Sequence, residues 1–194
     1  ILRGAGRCFS AGNELKAVRS GVKAKEKFFQ AKTIDLIEKL PQPTIASVHG
    51  HCLTGALELA LACDLMITSE SANLADTHGK WGMVPGWGMS VRLPRRVGLL
   101  KAKEMMFTGM SINGLQAVEI GLSSQCVAND HLNVSTLDLA ESIVKNSWHT
   151  NFADKKLFLD NENHFHDASL KMEREQSASV ASDMHERVKQ GFKS

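Results

Sequence analysis

The chain has no excess of either charge: 23 Lys and Arg stand against 21 Asp and Glu, a formal net charge of +2. Such balance argues against a dedicated nucleic-acid binder and restricts any anionic ligand to a local basic site. Long apolar runs are also lacking. The stretch from Leu53 to Met66 is broken by Glu58 and Asp64, well short of the roughly 20 apolar residues of a membrane-spanning helix. Cysteine is sparse. Cys8, Cys52, Cys63 and Cys126 are scattered without a CxxC, and three of them lie in apolar stretches. Reduced, buried thiols and an intracellular compartment are expected in place of a disulfide framework. Internal repeats and low-complexity segments are missing too. The opening Ile1-Leu2-Arg3-Gly4 carries no initiator Met and no signal-peptide pattern. These residues read as the end of a strand entering a glycine turn, as if the chain opened in mid-fold.

What is present fits a globular protein. With 194 residues, 43% hydrophobic and 23% charged, one domain with at most a helical appendage is expected. Gly4 to Asn13 reads as a glycine-rich loop and Glu14 to Val18 as a short helix. From Lys23 to Leu40 the apolar residues Phe29, Leu36 and Leu40, with Phe28, Ile34 and Ile37 beside them, recur at helical spacing before Pro41 and Pro43. Thr44–Val48 and Leu65–Thr68 read as strands on either side of a helix from Gly55 to Cys63, which implies a right-handed crossover in a largely parallel sheet. Gly79 to Gly98 holds five of fifteen glycines and two of four prolines, and reads as an irregular wall of a pocket. Helices are expected over Leu100–Phe107, Asn113–Ile120, Leu132–Asn146 and about Ala168–Lys189, the last with a Val180, Met184, Val188 stripe.

The most informative stretch is His49-Gly50-His51-Cys52-Leu53-Thr54-Gly55-Ala56-Leu57-Glu58-Leu59-Ala60-Leu61-Ala62-Cys63-Asp64. Strand, turn and helix start follow one another, so the Gly55 N–H lies at a helix N-terminus, where free donors favour developing negative charge. Glu58 sits about one turn on, in an otherwise apolar segment. A carboxylate there costs free energy unless it is paired or used. It reads either as a general base or as a glutamate capping its own helix. His49 and His51 point to opposite faces if extended, and His164-Phe165-His166 lacks recurring ligand spacing, so no metal is expected. Ser10 has no His/Asp partner at diagnostic spacing, which disfavours a serine hydrolase.

Three blocks, Arg7 to Leu15, Pro43 to Asp64, and Val84-Pro85-Gly86-Trp87-Gly88 through Arg92-Leu93-Pro94 to Gly98, resemble the enoyl-CoA hydratase/isomerase (crotonase) family. The likeness continues through Ala102 to Met105, Thr108-Gly109 and Ala117 to Leu122. It implies an α/β fold, the crotonase-like ββα spiral, over residues 1–130, and a C-terminal helical trimerisation region over 131–194. The resemblance further implies N-terminal strands that are expected to be missing before Ile1. It also implies acyl-CoA substrates, with coenzyme A entering as part of the substrate and no separate cofactor. The assembly implied is a homotrimer or a dimer of trimers, in the cytoplasm or an organelle matrix.

By motif position the resemblance assigns a two-amide oxyanion hole to Asn13, after Ala11-Gly12, and to Gly55. Two preorganised donors stabilise charge developing on a thioester oxygen. Family hydratases bracket a water with two glutamates. Glu58 matches the first, whereas His78 stands where the second would be, with Asp76 close enough to orient or replace it. Histidine can move protons near neutral pH, so the expected reaction is reversible hydration of a 2-enoyl-CoA by a Glu58/His78 pair. Isomerisation, decarboxylation or thioester hydrolysis by the same family framework is the enzymatic alternative. An inactive or RNA-binding member, using Lys23 and Lys27, is the alternative of another class. Trp81, Pro85, Gly86 and Trp87 are expected to line the acyl pocket. Arg7, Lys16, Phe192 and Lys193 are expected to meet the nucleotide end of coenzyme A. Arg92, Arg95 and Arg96 are expected to form structural pairs or phosphate contacts at a subunit edge.

Overall fold

The computed structural model describes residues 1–14, 26, 28–161, 168, 170, 171, 173, 174, 182, 184 and 186. The expected helices over Glu14–Val18 and Ala168–Lys189, and the lysines Lys23 and Lys27, lie wholly or largely outside the described residues. Two compact units are present, Ile1–Leu40 with Thr44–Asp138, and Pro41–Pro43 with Leu139–Ser194; the sequence reading put its division after residue 130.

The first unit is built on two small sheets. Strands β1 (Leu2–Arg3), β2 (Ile45–Val48), β4 (Leu65–Ser69) and β7 (Gln125–Val127) form a parallel sheet in the order β1-β2-β4-β7. Ile45 pairs with Leu65 and Val48 with Thr68, as a strand, helix, strand crossover requires. All four residues of β2 are buried. A strand covered on both faces loses the apolar–polar alternation, and in Ile45-Ala46-Ser47-Val48 the one polar side chain, Ser47, is buried with its hydroxyl bonded to that of Thr136 at 3.0 Å. The second sheet joins β3 (His51–Leu53), β5 (Asn73–Ala75) and β6 (Ser111–Asn113), with β3 parallel to β5 and β5 antiparallel to β6.

Between β3 and β4 runs α2 (Gly55–Leu61), in which every residue except Leu59 is buried. A helix apolar all round belongs in a core. Leu57 is 0% exposed and packs in one cluster with Val48, Cys52, Met66, Leu74, Met89, Leu93 and Met105. Cys52 and Cys63 are buried free thiols, and Cys8 and Cys126 are half-buried and also free. Burial pushes the proton affinity of both buried thiols up.

Several expectations need correction. The helix expected over Lys23–Leu40 appears as α1 (Phe29–Glu38), and its buried residue is Ile34, whereas Phe29 and Leu36 are exposed. Helical spacing located the element but not the face it buries. Gly79 to Gly98 is not wholly irregular: a 3-10 turn spans His78–Trp81, and α3 (Met89–Val97) runs through Pro94. Burial of Met89, Arg92 and Leu93 outweighs the one helical hydrogen bond that proline removes. Strands of three residues, β3, β5, β6 and β7, are too short to carry a readable period.

Helices α4 (Leu99–Thr108) and α5 (Gly114–Glu119) complete the first unit, and α6 (Leu132–Val144) starts in it. The second unit contains α7 (Trp148–Asn161), where Trp148 and Phe152 stack at 6.3 Å between ring centroids. Among the described residues no helix is long and apolar enough to cross a membrane.

Truncating Leu57 to Ala is expected to cost about 2–5 kcal/mol, whereas Leu36→Ala on the exposed side of α1 should stay within about 0.5 kcal/mol. Urea unfolding of both variants checks the contrast.

Candidate active site

The turn from β3 into α2 carries the site's first element. Thr54 has φ 57° and ψ −113°, a sparsely populated conformation for a β-branched residue that costs about 1–3 kcal/mol. Three contacts hold it there. Its N–H donates to the Ala75 carbonyl at 2.8 Å, its hydroxyl bonds to the Thr77 hydroxyl, and its Oγ1 accepts from the Thr77 N–H at 3.3 Å. The next residue, Gly55, opens α2, so its N–H is one of the donors a helix start leaves without an intrahelical acceptor. The Trp87 ring lies against this glycine so closely that a Cβ would collide with it.

Glu58 is 1% exposed, and its carboxylate does not cap its own helix. Oε1 accepts from the N–H groups of Trp87 at 2.8 Å and Met89 at 3.1 Å. These amides lead into α3, whose positive N-terminal end favours the buried negative charge. Gly88 lies between the two donors at φ 112°, and a Cβ there would collide with the Arg92 guanidinium. Both amides can face one oxygen because that residue is glycine. The other oxygen, Oε2, lies 3.8 Å from Nε2 of His78.

His78 is 8% exposed and is oriented by Asp76. Asp76 Oδ1 is 2.6 Å from His78 Nδ1 and accepts from the His78 N–H at 3.1 Å. A carboxylate can only accept, so Nδ1 carries a proton and Nε2 is turned toward Glu58. The 3.8 Å separation is too long for a direct hydrogen bond, and a water or hydroxyl within bonding distance of both atoms can cap the pair.

A cavity of about 480 Å³ collects these groups: Ala11, Asn13, Gly55, Glu58 and His78 line it with Trp81, Gly86 and Trp87. Leu53, Thr54, Thr77, Lys80, Met83 and Val84 complete the lining. None of these six carries a site role in the sequence pattern, and the positive φ of Thr54 leaves no mark in residue type. Gly12 (φ 96°) is the turn between Ala11 and Asn13, and Asp76 stands behind His78. Pro85 is half-buried and not among the lining residues. Arg7 lines a different, more polar cavity with Arg3 and His49. Lys16, Phe192 and Lys193 lie outside the described residues. Of the three arginines, Arg92 makes the expected structural pairs, with Asp35 and Glu38, and Arg96 donates to the Cys63 carbonyl. Among the described residues no group of three or more His, Cys, Asp or Glu is arranged to hold a metal ion.

The family model for enoyl-CoA hydratase/isomerase matches residues 1–194. A Bacillus subtilis relative named for enoyl-CoA hydratase is 35% identical over 179 residues, 89% of this chain and 69% of its own. The short-chain-enoyl-CoA hydratase of Clostridium acetobutylicum is 34% identical over 151 residues, 76% of this chain and 58% of its own. The chain spans about half the length of curated relatives from Arabidopsis thaliana and Mycosarcoma maydis, 55% and 46% respectively. Among solved structures, an enoyl-CoA hydratase from Bacillus anthracis superposes with a TM-score of 0.85 at 33% identity, covering 92% of this chain and 70% of that one. A Thermobifida fusca protein solved with acetoacetyl-CoA gives 0.79 at 25% identity, covering 91% and 74%.

Gly55→Ala is expected to push the Trp87 ring aside, costing about 1–3 kcal/mol from overpacking. Denaturant unfolding and tryptophan emission read it; wild-type values for both would show that the ring does not need this glycine.

Proposed function

This chain belongs to the enoyl-CoA hydratase/isomerase family, and from that premise we propose that it hydrates a 2-enoyl-CoA reversibly to a 3-hydroxyacyl-CoA. The observation that carries the reading is the facing pair of Glu58 Oε2 and His78 Nε2, each oriented by its own buried partners. The thioester oxygen accepts from the backbone amides of Asn13 and Gly55, and the acyl chain lies against Trp81 and Trp87. Glu58 takes a proton from water as its oxygen bonds to the β-carbon, and the displaced π electrons reach the thioester oxygen. There the two amides stabilise the enolate by several kcal/mol, of the order of oxyanion donors elsewhere. Protonated His78 then delivers its Nε2 proton to the α-carbon, so the elements of water add to one face. The proton left on Glu58 returns to His78 through a water that enters the 3.8 Å gap, which restores both groups.

Addition of water needs two proton-moving groups on one side of the double bond, one for the water and one for the α-carbon, and the Glu58/His78 pair supplies both although His78 stands where family hydratases carry a glutamate. The same oxyanion hole also serves isomerisation, decarboxylation and thioester hydrolysis, which remain the enzymatic alternative. Coenzyme A enters with the substrate in this reading, and no other cofactor takes part. Relatives named as peroxisomal and mitochondrial support an organelle matrix, with the cytoplasm as the alternative location. A homotrimer or dimer of trimers is the assembly proposed.

Incubation with crotonyl-CoA is expected to remove the enoyl absorbance. No loss, with turnover of a 3-enoyl or malonyl-type thioester instead, would replace hydration by the alternative. His78→Gln is expected to lower turnover about 10²–10⁴-fold, and activity left intact would remove His78 from the mechanism.

A further inference from the structure

Arg92 is absent from the lining of the catalytic cavity, yet it grips the segment that holds Glu58. Its residue exposure is 8%. Nε donates to Glu38 Oε1 at 2.8 Å, and Nη2 to Glu38 Oε2 at 2.6 Å and to Asp35 Oδ1 at 2.8 Å. Both carboxylates belong to α1, which supplies no lining residue of the cavity. The remaining arm, Nη1, donates to the Trp87 carbonyl at 2.7 Å, while the Arg92 backbone N–H donates to the Gly88 carbonyl at 2.8 Å. Three consecutive peptides are thereby held from two sides. Glu58 takes the N–H of the first and the third, and Arg92 takes the carbonyl of the one between them. Fixing the middle peptide sets the direction of its neighbours, because Gly88 alone would leave them free to turn.

We propose that Arg92, clamped by Glu38 and Asp35, is the positioning residue that keeps the Trp87 and Met89 amides on Oε1 of Glu58, so that Oε2 alone faces His78 and the substrate. Arg92 acts through the loop and touches no reacting atom. Arginine is required because one planar fork must meet two carboxylates and a carbonyl at once, which an ammonium cannot do in that geometry. Only the kinetic consequence rests on Glu58 being the base; the structural consequence stands apart from the reaction.

The test compares Arg92→Lys and the double variant Asp35→Asn, Glu38→Gln with the wild-type chain. Amide hydrogen exchange at Trp87 and Met89 is expected to accelerate at least about tenfold, with strand amides of β2 and β4 within about twofold. Turnover of crotonyl-CoA is expected to fall about tenfold with KM within about twofold, because an aim is lost and a binding surface is kept. Equal acceleration throughout the core would show a merely structural pair and overturn the inference. So would unchanged exchange at the two amides, or freed amides with full turnover. If Arg92→Lys does not fold, the double variant, which keeps the arginine, decides. A wild-type chain that leaves crotonyl-CoA unchanged would sink the hydratase reading, and the exchange comparison would still judge the clamp.

Discussion

A carboxylate buried at 1% exposure inside an apolar helix is the constraint on which the rest of the structure turns. Unpaired, Glu58 would carry a large desolvation cost. Two charge-assisted hydrogen bonds from the start of α3, each worth roughly 1.5–3 kcal/mol, and the favourable end of that helix offset it. For those amides to arrive, α3 must begin beside α2, Gly88 must adopt a left-handed backbone, and Arg92 must reach across to Trp87. The packing of α2 against α3, through Leu57, Met89 and Leu93 in one cluster, is therefore also the packing that solvates the buried carboxylate.

The cavity has a division of labour that follows from this. One Glu58 oxygen is consumed by structure and the other faces His78. His78 repeats the pattern, with Nδ1 spent on Asp76 and Nε2 turned inward. Each group has a fixed orientation because its second polar atom is satisfied behind it, leaving only one atom to face a ligand. The Gly55 N–H obeys the same rule in backbone form, since Gly55 opens a helix and its N–H cannot find an intrahelical acceptor. Thr54 bears the strain of this turn, and its hydroxyl contact with Thr77 ties the β3–α2 corner to the loop that carries His78.

Much of this was legible in residue order. The β2, α2, β4 crossover followed from two β-branched runs around an apolar helix, and Glu58 stood out because a charge in such a run needs a reason. His78 was located because it stands where the family's second glutamate would be. Other features were not legible. Phe29 and Leu36, seven apart, share one face of α1, whereas Ile34 and Ile37, three apart, share another, and it is the second that packs, so period alone could not choose a face. The role of Arg92 was hidden because its partners Asp35 and Glu38 are more than 50 residues away, and charge pairing at that separation has no local signature.

What the sequence determined by itself was the set of chemical groups and their local settings: a glycine opening a helix, a carboxylate about a turn later, a histidine two residues after an aspartate, and family motifs in order. Only the tertiary structure decided how those groups face one another. It turned Glu58 toward α3 instead of its own helix end, brought Oε2 to 3.8 Å from His78, and placed Arg7 in a different cavity. The physical reason is that local chemistry depends on neighbours along the chain, whereas orientation in a buried site depends on which distant polar groups satisfy each atom, and that is settled only when the elements pack.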